Sequence, residues 1–220
     1  MSAALRERLV QAVTELRLNL SGAQLDALLN YLHLLERWNS TYNLTAVRKL
    51  SDMLTQHLAD CLAVVAPIRR VIGEPLAARI LDVGSGAGLP GVVMAIAEPQ
   101  AVVLCIDKVG KKVAFIRQVA AELRLGNLHA EHVRVESLNS GRFDVVVSRA
   151  YDSLADFTAS TIPHLADDGV WLAMKGRRPE DELSALLTAV PSAVDVFHVE
   201  PLRVPGMDAQ RCLVWMRRRQ

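Results

Sequence analysis

The amino-acid sequence predicts an α/β protein: a seven-stranded, mostly parallel sheet preceded by an N-terminal helical extension. Three observations predict it. From residue 78 onward, short apolar runs alternate with stretches of helical periodicity. Those runs are apolar throughout, as strands covered on both faces are. Before residue 76, apolar side chains recur at helical spacing instead. The expected division is a helical region over residues 1–75, packed on a sheet domain over residues 76–220.

In chain order, Leu5, Leu9, Val13 and Leu16 form the stripe of a first helix. Ser21 followed by Gln24 has capping-box form, and Leu25, Leu28, Leu29, Leu32, Leu35 and Trp38 continue one apolar face behind it. Ser51 is the expected cap of a third helix carrying Leu54, Leu58, Leu62 and Val65, with Pro67, Gly73 and Pro75 punctuating its exit. Strands are expected at 79–83, 101–106, 128–133, 143–147, 170–174, 193–199 and 211–216. Helices are expected at 89–97, 110–125, 153–165 and 179–188. Only a loop around Pro201, Pro205 and Gly206 separates the last two strands, so they read as an antiparallel pair closing one edge. Asp167, Asp168 and Gly169 read as a turn.

Composition bounds what such a chain does. At 220 residues, half of them apolar, it is one ordinary domain or one domain with an appendage. Its 25 Lys and Arg stand against 24 Asp and Glu, which argues against a globally basic coat but permits a local basic patch. Cys61, Cys105 and Cys212 lie far apart with no C-x-x-C spacing, as buried thiols in a reducing cytosol do. No signal peptide opens the chain, and no apolar run approaches the roughly 20 residues of a membrane span. A cytoplasmic protein is expected.

Residues 83–91 read V-G-S-G-A-G-L-P-G, four glycines in nine residues. Gly84, Gly86 and Gly88 form G-x-G-x-G. Gly86, Gly88 and Gly91 form G-x-G-x-x-G, the dinucleotide pattern. A strand feeds the loop, and Pro90 suits the first turn of the helix that follows. Amides at a helix start favour anionic or polar ligands, so NAD and S-adenosylmethionine both remain open at this step. Asp82 stands just before the first glycine, where a dinucleotide strand carries an apolar residue; this favours S-adenosylmethionine, which has no pyrophosphate. Asp107 ends the next strand, where a carboxylate accepts hydrogen bonds from ribose hydroxyls on either reading. A turn needed only for tight packing is the third reading, and four glycines exceed what a turn requires.

The segment D-V-G-S-G-A-G-L-P-G at 82–91 resembles motif I of class I methyltransferases, in the form used by the glucose-inhibited division protein B family, also called RsmG. Other segments are similar to that family's. They are W-N-S-T-Y-N-L-T at 38–45, His57 to Asp60 as H-x-x-D, and Gly110-Lys111-Lys112. Arg134-Val135-Glu136, Ser148-Arg149-Ala150 and Lys175-Gly176 complete the set. The loop alone is generic; the set from about residue 30 to 180 is specific. Cys61 departs from the more usual Ser, and Ser85-Gly86-Ala87 stays within the loop's range. The resemblance implies a Rossmann-like fold, S-adenosyl-L-methionine as cofactor, and methylation of a guanine N7 in small-subunit (16S) ribosomal RNA. It implies a cofactor site in which Gly84 and Leu89 line the methionine and adenosine path, with Asp82, Ser85, Gly86 and Gly88 beside them. Asp107 and Lys108 would lie at the ribose, Val135 and Glu136 at the adenine, and Arg149, as catalytic residue, at the methyl end.

Arg149 also follows the apolar run 145–147 at a carboxyl end of the sheet, where open α/β sheets place ligands. Its guanidinium has two uses there: gripping the cofactor's carboxylate, or holding an RNA phosphate or guanine O6. Guanine N7 carries a lone pair and no proton, so attack on a sulfonium methyl needs positioning and electrostatics but no general base. The sequence after the fourth strand, Ser148-Arg149-Ala150-Tyr151, lacks the N-P-P-Y type motif of exocyclic-amine methylation. It also lacks the cysteine of C5 methylation.

The expected RNA side comprises Asn43, His57, Lys111, Lys112, Lys175 and Arg177. Arg48, Lys49, Lys108, Arg178 and Arg203 are further cations on loops. His57 and Asp60 could instead share a structural hydrogen bond on one helix face. Arg217 to Arg219 reads as a solvated tail. Histidines and cysteines form no metal set, so no metal is expected. The expected partner is small-subunit ribosomal RNA or the assembled small subunit, with a monomeric enzyme and no membrane. A methyltransferase acting on a small molecule or another RNA, and a binding protein that keeps the fold without chemistry, are the other classes the residues admit.

Overall fold

The Ser21 hydroxyl accepts the Gln24 amide at 3.3 Å, and the Gln24 side chain accepts the Ser21 amide at 2.9 Å. This capping box starts α2 (Gly22–Tyr42) in the computed structural model of the chain, which describes residues 3–149, 151–189 and 193–219. Gln24 does more than start its own helix. Its Nε2 donates to the carbonyls of Ile96 and Ala97, at 2.9 and 3.0 Å, at the end of a helix in the sheet region. Those carbonyls have no partner within their own helix. Helix α1 (Ala3–Glu15) packs beside α2 through Leu5, Leu9 and Val13, all buried.

The third helix departs from expectation. Its N-cap residue is Lys49, without a side-chain bond, and the Ser51 hydroxyl donates to neighbouring Asp52 instead. The run is α3 (Leu50–Met53), a π-helical turn (Leu54–Ala59), then α4 (Asp60–Leu62). A π turn takes an additional residue per bonded ring. Its buried side therefore holds His57 and Asp60 as well as the expected leucines. Pro67 lies inside the first turn of α5 (Val65–Ile72), where a missing N–H costs nothing, and so does not mark an exit.

The sheet has seven strands: β1 (Arg79–Val83), β2 (Val102–Asp107), β3 (Leu128–His132), β4 (Phe143–Ser148), β5 (Leu165–Lys175), β6 (Val194–Pro201) and β7 (Cys212–Arg218). Their order is β3-β2-β1-β4-β5-β7-β6, and β7 alone runs against its neighbours. Side chains alternate between two cores, as the pleat requires. Ile80, Val145, Val147 and Leu172 join the N-terminal helices with α6 (Gly91–Ala97) and α7 (Gly110–Glu122). Leu81, Val83, Val146 and Trp171 join α8 (Leu154–Thr161) and α9 (Glu180–Ala189). The extension and one face of the sheet thus share a continuous core.

Three local expectations are corrected. Asp167, Asp168 and Gly169 do not end an element: Leu165 pairs with Phe143 and Val170 with Val145, so the intervening residues bulge out of β5. Helix α8 stops at Thr161, because Pro163 follows in a 3₁₀ turn. Helix α6 begins at Gly91, leaving Leu89 and Pro90 in the turn before it. At the other edge, Pro201 pairs with Cys212, and Cys212 with Lys175. The end of β6 and the start of β7 therefore reach the same sheet edge as the carboxyl ends of the parallel strands. Among the described residues, no helix is long and apolar enough to cross a membrane.

Candidate functional site

Two cavities open at the carboxyl ends of the parallel strands. The first, about 410 Å³, is bordered by Gly84, Asp107, Lys108, Lys112, Val135 and Glu136, among others. Asp107 organises it. One carboxylate oxygen accepts the Gly86 amide and the other the Val109 amide, each at 2.9 Å, and Lys112 Nζ lies 3.7 Å away. The glycine loop and the turn into α7 are thereby tied to one side chain, as expected of charge-assisted bonds to backbone donors. Gly84 borders the cavity with φ +69°, and a Cβ built on it meets no atom within 4 Å. A side chain there would occupy the cavity's own space.

The loop's two registers resolve by direction. Gly91 faces inward, where a Cβ would lie 2.3 Å from Cys105 Sγ and 2.9 Å from Asp82 Oδ2. That glycine lets α6 rest on the strands. Gly84 instead faces the cavity. Asp82 is wholly buried beneath the loop; one oxygen accepts the Gly91 amide at 2.8 Å and the other has no hydrogen-bond partner among the described residues. Burial pushes its carboxyl up to about 7, with the Gly91 hydrogen bond opposing.

The second cavity, about 290 Å³, is bordered by Gln56, His57, Asp60, Arg149, Lys175 and Arg211. Asp60 is only 2% exposed and accepts from two guanidiniums, Arg149 Nη1 at 3.3 Å and Arg211 Nε at 3.0 Å. Arg149 also donates to the Gln56 carbonyl at 3.1 Å. Lys175 is satisfied by Glu182 at 2.7 Å and the Tyr151 carbonyl at 2.8 Å. His57 Nε2 pairs with Thr45 Oγ1 at 2.9 Å. Burial, and then the Arg149 charge, push the His57 imidazole down to about 4, so it is neutral at pH 7. Two guanidiniums on one carboxylate leave this cavity cationic. Arg149 borders it while Tyr151 borders the first, so the two residues line different cavities.

The predicted residues sort into groups. Gly84, Asp107, Lys108, Lys112, Val135 and Glu136 come together at the first cavity. Arg149, His57 and Lys175 come together at the second, so Arg149 is not among the residues that line the first. Asp82, Ser85, Gly86, Gly88 and Leu89 border neither. Ser85 Oγ donates to the Ile106 carbonyl, and Leu89 is buried. Lys111 points outward from α7. Asn43, in the left-handed conformation that ends α2, accepts from Arg48 away from both cavities. Arg177 borders a neighbouring groove. Ala150 of the S-R-A motif lies outside the described residues. His57 and Asp60 do not share a hydrogen bond; each has its own partners.

Four residues enter from outside the expected site residues. Tyr31, buried in α2, donates to the Ala87 carbonyl at 2.8 Å and so braces the glycine loop from the extension. Its only signal was a hydroxyl inside a leucine stripe. Thr45 holds His57, with Asn39 shaping its turn through a bond from the Thr45 amide. Arg211 shares Asp60 with Arg149 across a separation of 151 residues, for which the sequence carries no local signal.

A family model described as rRNA small subunit methyltransferase G matches residues 24–213. Ribosomal RNA small subunit methyltransferase G of Methylibium petroleiphilum is 56% identical, covering 98% of this chain and 96% of its own. The protein of the same name from Leptothrix cholodnii is 54% identical, covering 97% and 96%. Among solved structures, ribosomal protein L11 methylase from Lactobacillus delbrueckii subsp. bulgaricus superposes with a TM-score of 0.56 at 16% identity, covering 72% of this chain and 78% of that one. TYW2 of P. horikoshii, solved in complex with MeSAdo, superposes at 0.52 with 13% identity, covering 71% and 62%. These last two likenesses are of fold.

Proposed function

This chain belongs to the rRNA small subunit methyltransferase G family, and we propose that its two cavities divide the reaction into a cofactor half and an RNA half. The reaction is transfer of a methyl group from S-adenosylmethionine to guanine N7 of small-subunit (16S) ribosomal RNA. The observation that carries the division is how the buried carboxylate of each cavity is satisfied. Asp107 at the first takes backbone amides, with Lys108, Lys112 and Arg134 also on the lining, and Asp60 at the second takes two guanidiniums.

In this reading Gly84 leaves room for the cofactor, Asp107 takes the ribose hydroxyls, and Val135 and Glu136 flank the adenine. When bound, S-adenosylmethionine supplies an electrophilic methyl on a cationic sulfur. Arg149, with Arg211 beside it, holds a phosphate or the guanine O6 of the RNA and sets the ring for in-line attack. No residue need remove a proton, since N7 carries none, and catalysis is positioning and electrostatics. A neutral His57 bonded to Thr45 serves as a wall of the pocket. The reading extends to free RNA or the assembled small subunit as substrate, and to a monomer in the cytoplasm. The three free, buried cysteines suit a reducing compartment.

Mass mapping of modified guanines in ribosomal RNA, from cells with and without the gene, tests the assignment. Loss of one 7-methylguanine from the small-subunit RNA is expected; an unchanged set overturns it. Titration calorimetry tests the cofactor half: S-adenosylmethionine and its demethylated product bind, and NAD binds poorly.

A further inference from the structure

Beyond the second cavity, the sheet edge continues into a groove that neither half of the reaction uses. It is about 470 Å³ and is bounded by the loop after β5, the end of β6 and the start of β7. The register already described brings these three segments into line, since Lys175, Cys212 and Pro201 are successive cross-strand partners. Resting on the reading of the second cavity as the RNA half, we propose that this groove is a second RNA site. It binds phosphates of the strand flanking the target guanine, and Arg211 is the joint between the two sites.

Charge carries the first part of the argument. Arg177, Arg178, Arg203 and Arg211 line the groove. Its one acidic lining residue, Glu200, is already engaged: Arg70 Nη2 lies 2.6 and 2.8 Å from its two oxygens, and Trp215 Nε1 donates at 2.8 Å. Arg178 leans on Glu180 in an exposed pair, a weak competitor for an anion. Arg177 and Arg203 are exposed, and their guanidiniums have no acidic partner among the described residues. Continuity carries the second part. Arg211 borders both the groove and the second cavity. Its Nε is fixed on the buried Asp60 and its Nη1 on the Gln210 carbonyl at 3.1 Å. A guanidinium held this way needs little ordering when it meets a ligand.

The lining also indicates which part of RNA is held. Val199, Pro201, Leu202 and Cys212 supply its apolar surface, and no aromatic ring is among the lining residues on which a base could stack. Guanidiniums without a stacking platform suit phosphates, which fix register and carry no sequence information.

The test uses the full chain with small-subunit RNA, naked and in assembled subunits. It compares the wild type, the double variant Arg177→Ala/Arg203→Ala, and Arg124→Ala on an exposed face elsewhere as a charge control. The double variant is expected to need more RNA for half-saturation. The slope of log affinity against log salt should fall by about 1.5, roughly the loss of two phosphate contacts. The weakening should be the same on RNAs of altered flanking sequence. An unchanged slope and half-saturation overturn the proposal. Weakening on one flanking sequence alone would assign base contacts instead. Weakening on assembled subunits but not on naked RNA would assign the groove to a ribosomal protein. Wild-type transfer on the same RNA, measured alongside, separates failure of the groove from failure of the enzyme assignment.

Discussion

Asp107 and Asp60 are both carboxylates less than a tenth exposed at one edge of the same sheet, yet they are satisfied by opposite means. Asp107 takes backbone amides from Gly86 and Val109, close to it in the fold's own turns. Asp60 takes guanidiniums from Arg149 and Arg211, which arrive from the ends of β4 and β7. The first arrangement shapes backbone around the first cavity. The second gathers mobile cations and holds them still, since a buried charge must be paired. On the proposed division, one sheet edge offers acceptors to a cationic cofactor and donors to an anionic polymer.

The sharpest break of this contrast is Arg149→Ala. Removing a partly shielded, charge-assisted contact should cost single-turnover transfer to small subunits about 2–4 kcal/mol, or roughly 30- to 1000-fold. Arg149→Lys should recover little, because a point charge cannot reproduce the fork. Arg211 remains on Asp60, so a melting curve close to wild type is expected as the folding control. Near-normal transfer would remove the arginine from the RNA half.

Asp107→Asn tests the other side. An amide presents one acceptor oxygen where the carboxylate presents two, so the Gly86 or the Val109 amide loses its partner. S-adenosylmethionine affinity should fall roughly 10- to 100-fold by calorimetry, the range for a hydrogen bond to a charged group. An equal fall in RNA affinity would show that the two cavities are one site.

The smallest effect is one of pH. His57 is pushed from 6.5 to about 4 in the fold, so the unfolded chain binds the proton more readily. Its contribution to stability is present above pH 6.5 and is lost as pH falls from there toward 4. Asp82, pushed from 3.8 up to about 7, has the opposite sign: its contribution is present below 3.8 and is lost as pH rises toward 7. Comparison with His57→Gln isolates the first. The Tm advantage of wild type over this variant should shrink by a few degrees between pH 7 and 5. A constant difference would show that His57 does not titrate in this range in the unfolded chain only.

What the sequence made legible has a common physical basis. Strand–helix alternation, the capping box at Ser21 and the glycines between β1 and α6 are all local, and each constrains the backbone within a few residues. The place of Asp107 at a cavity was legible because open sheets form their crevices at the carboxyl ends of strands. The clamp on Asp60 was not, for its arginines lie 89 and 151 residues away. The bulge in β5 was misread because Asp167, Asp168 and Gly169 have turn chemistry, and pairing on both flanks overrides it. Asn43 sits in a family-like motif, but Asn39 and Thr45 are the members of that motif that reach the site's framework.

The π-helical turn at Leu54–Ala59 gives the clamp slack in chain length as well as in chemistry. Such a turn amounts to one extra residue accommodated in a helix. Removing a single residue from it would let the helix wind regularly while the residues before and after it keep the faces they now occupy. Asp60 would then stay with Arg149 and Arg211, whereas the same deletion in a regular helix would turn everything after it by about 100°. A one-residue deletion at the exposed Gln56 should therefore harm the clamp less than one inside α2. A deletion scan of the two helices, read by methyl transfer and melting together, would expose a difference that an alanine scan cannot see.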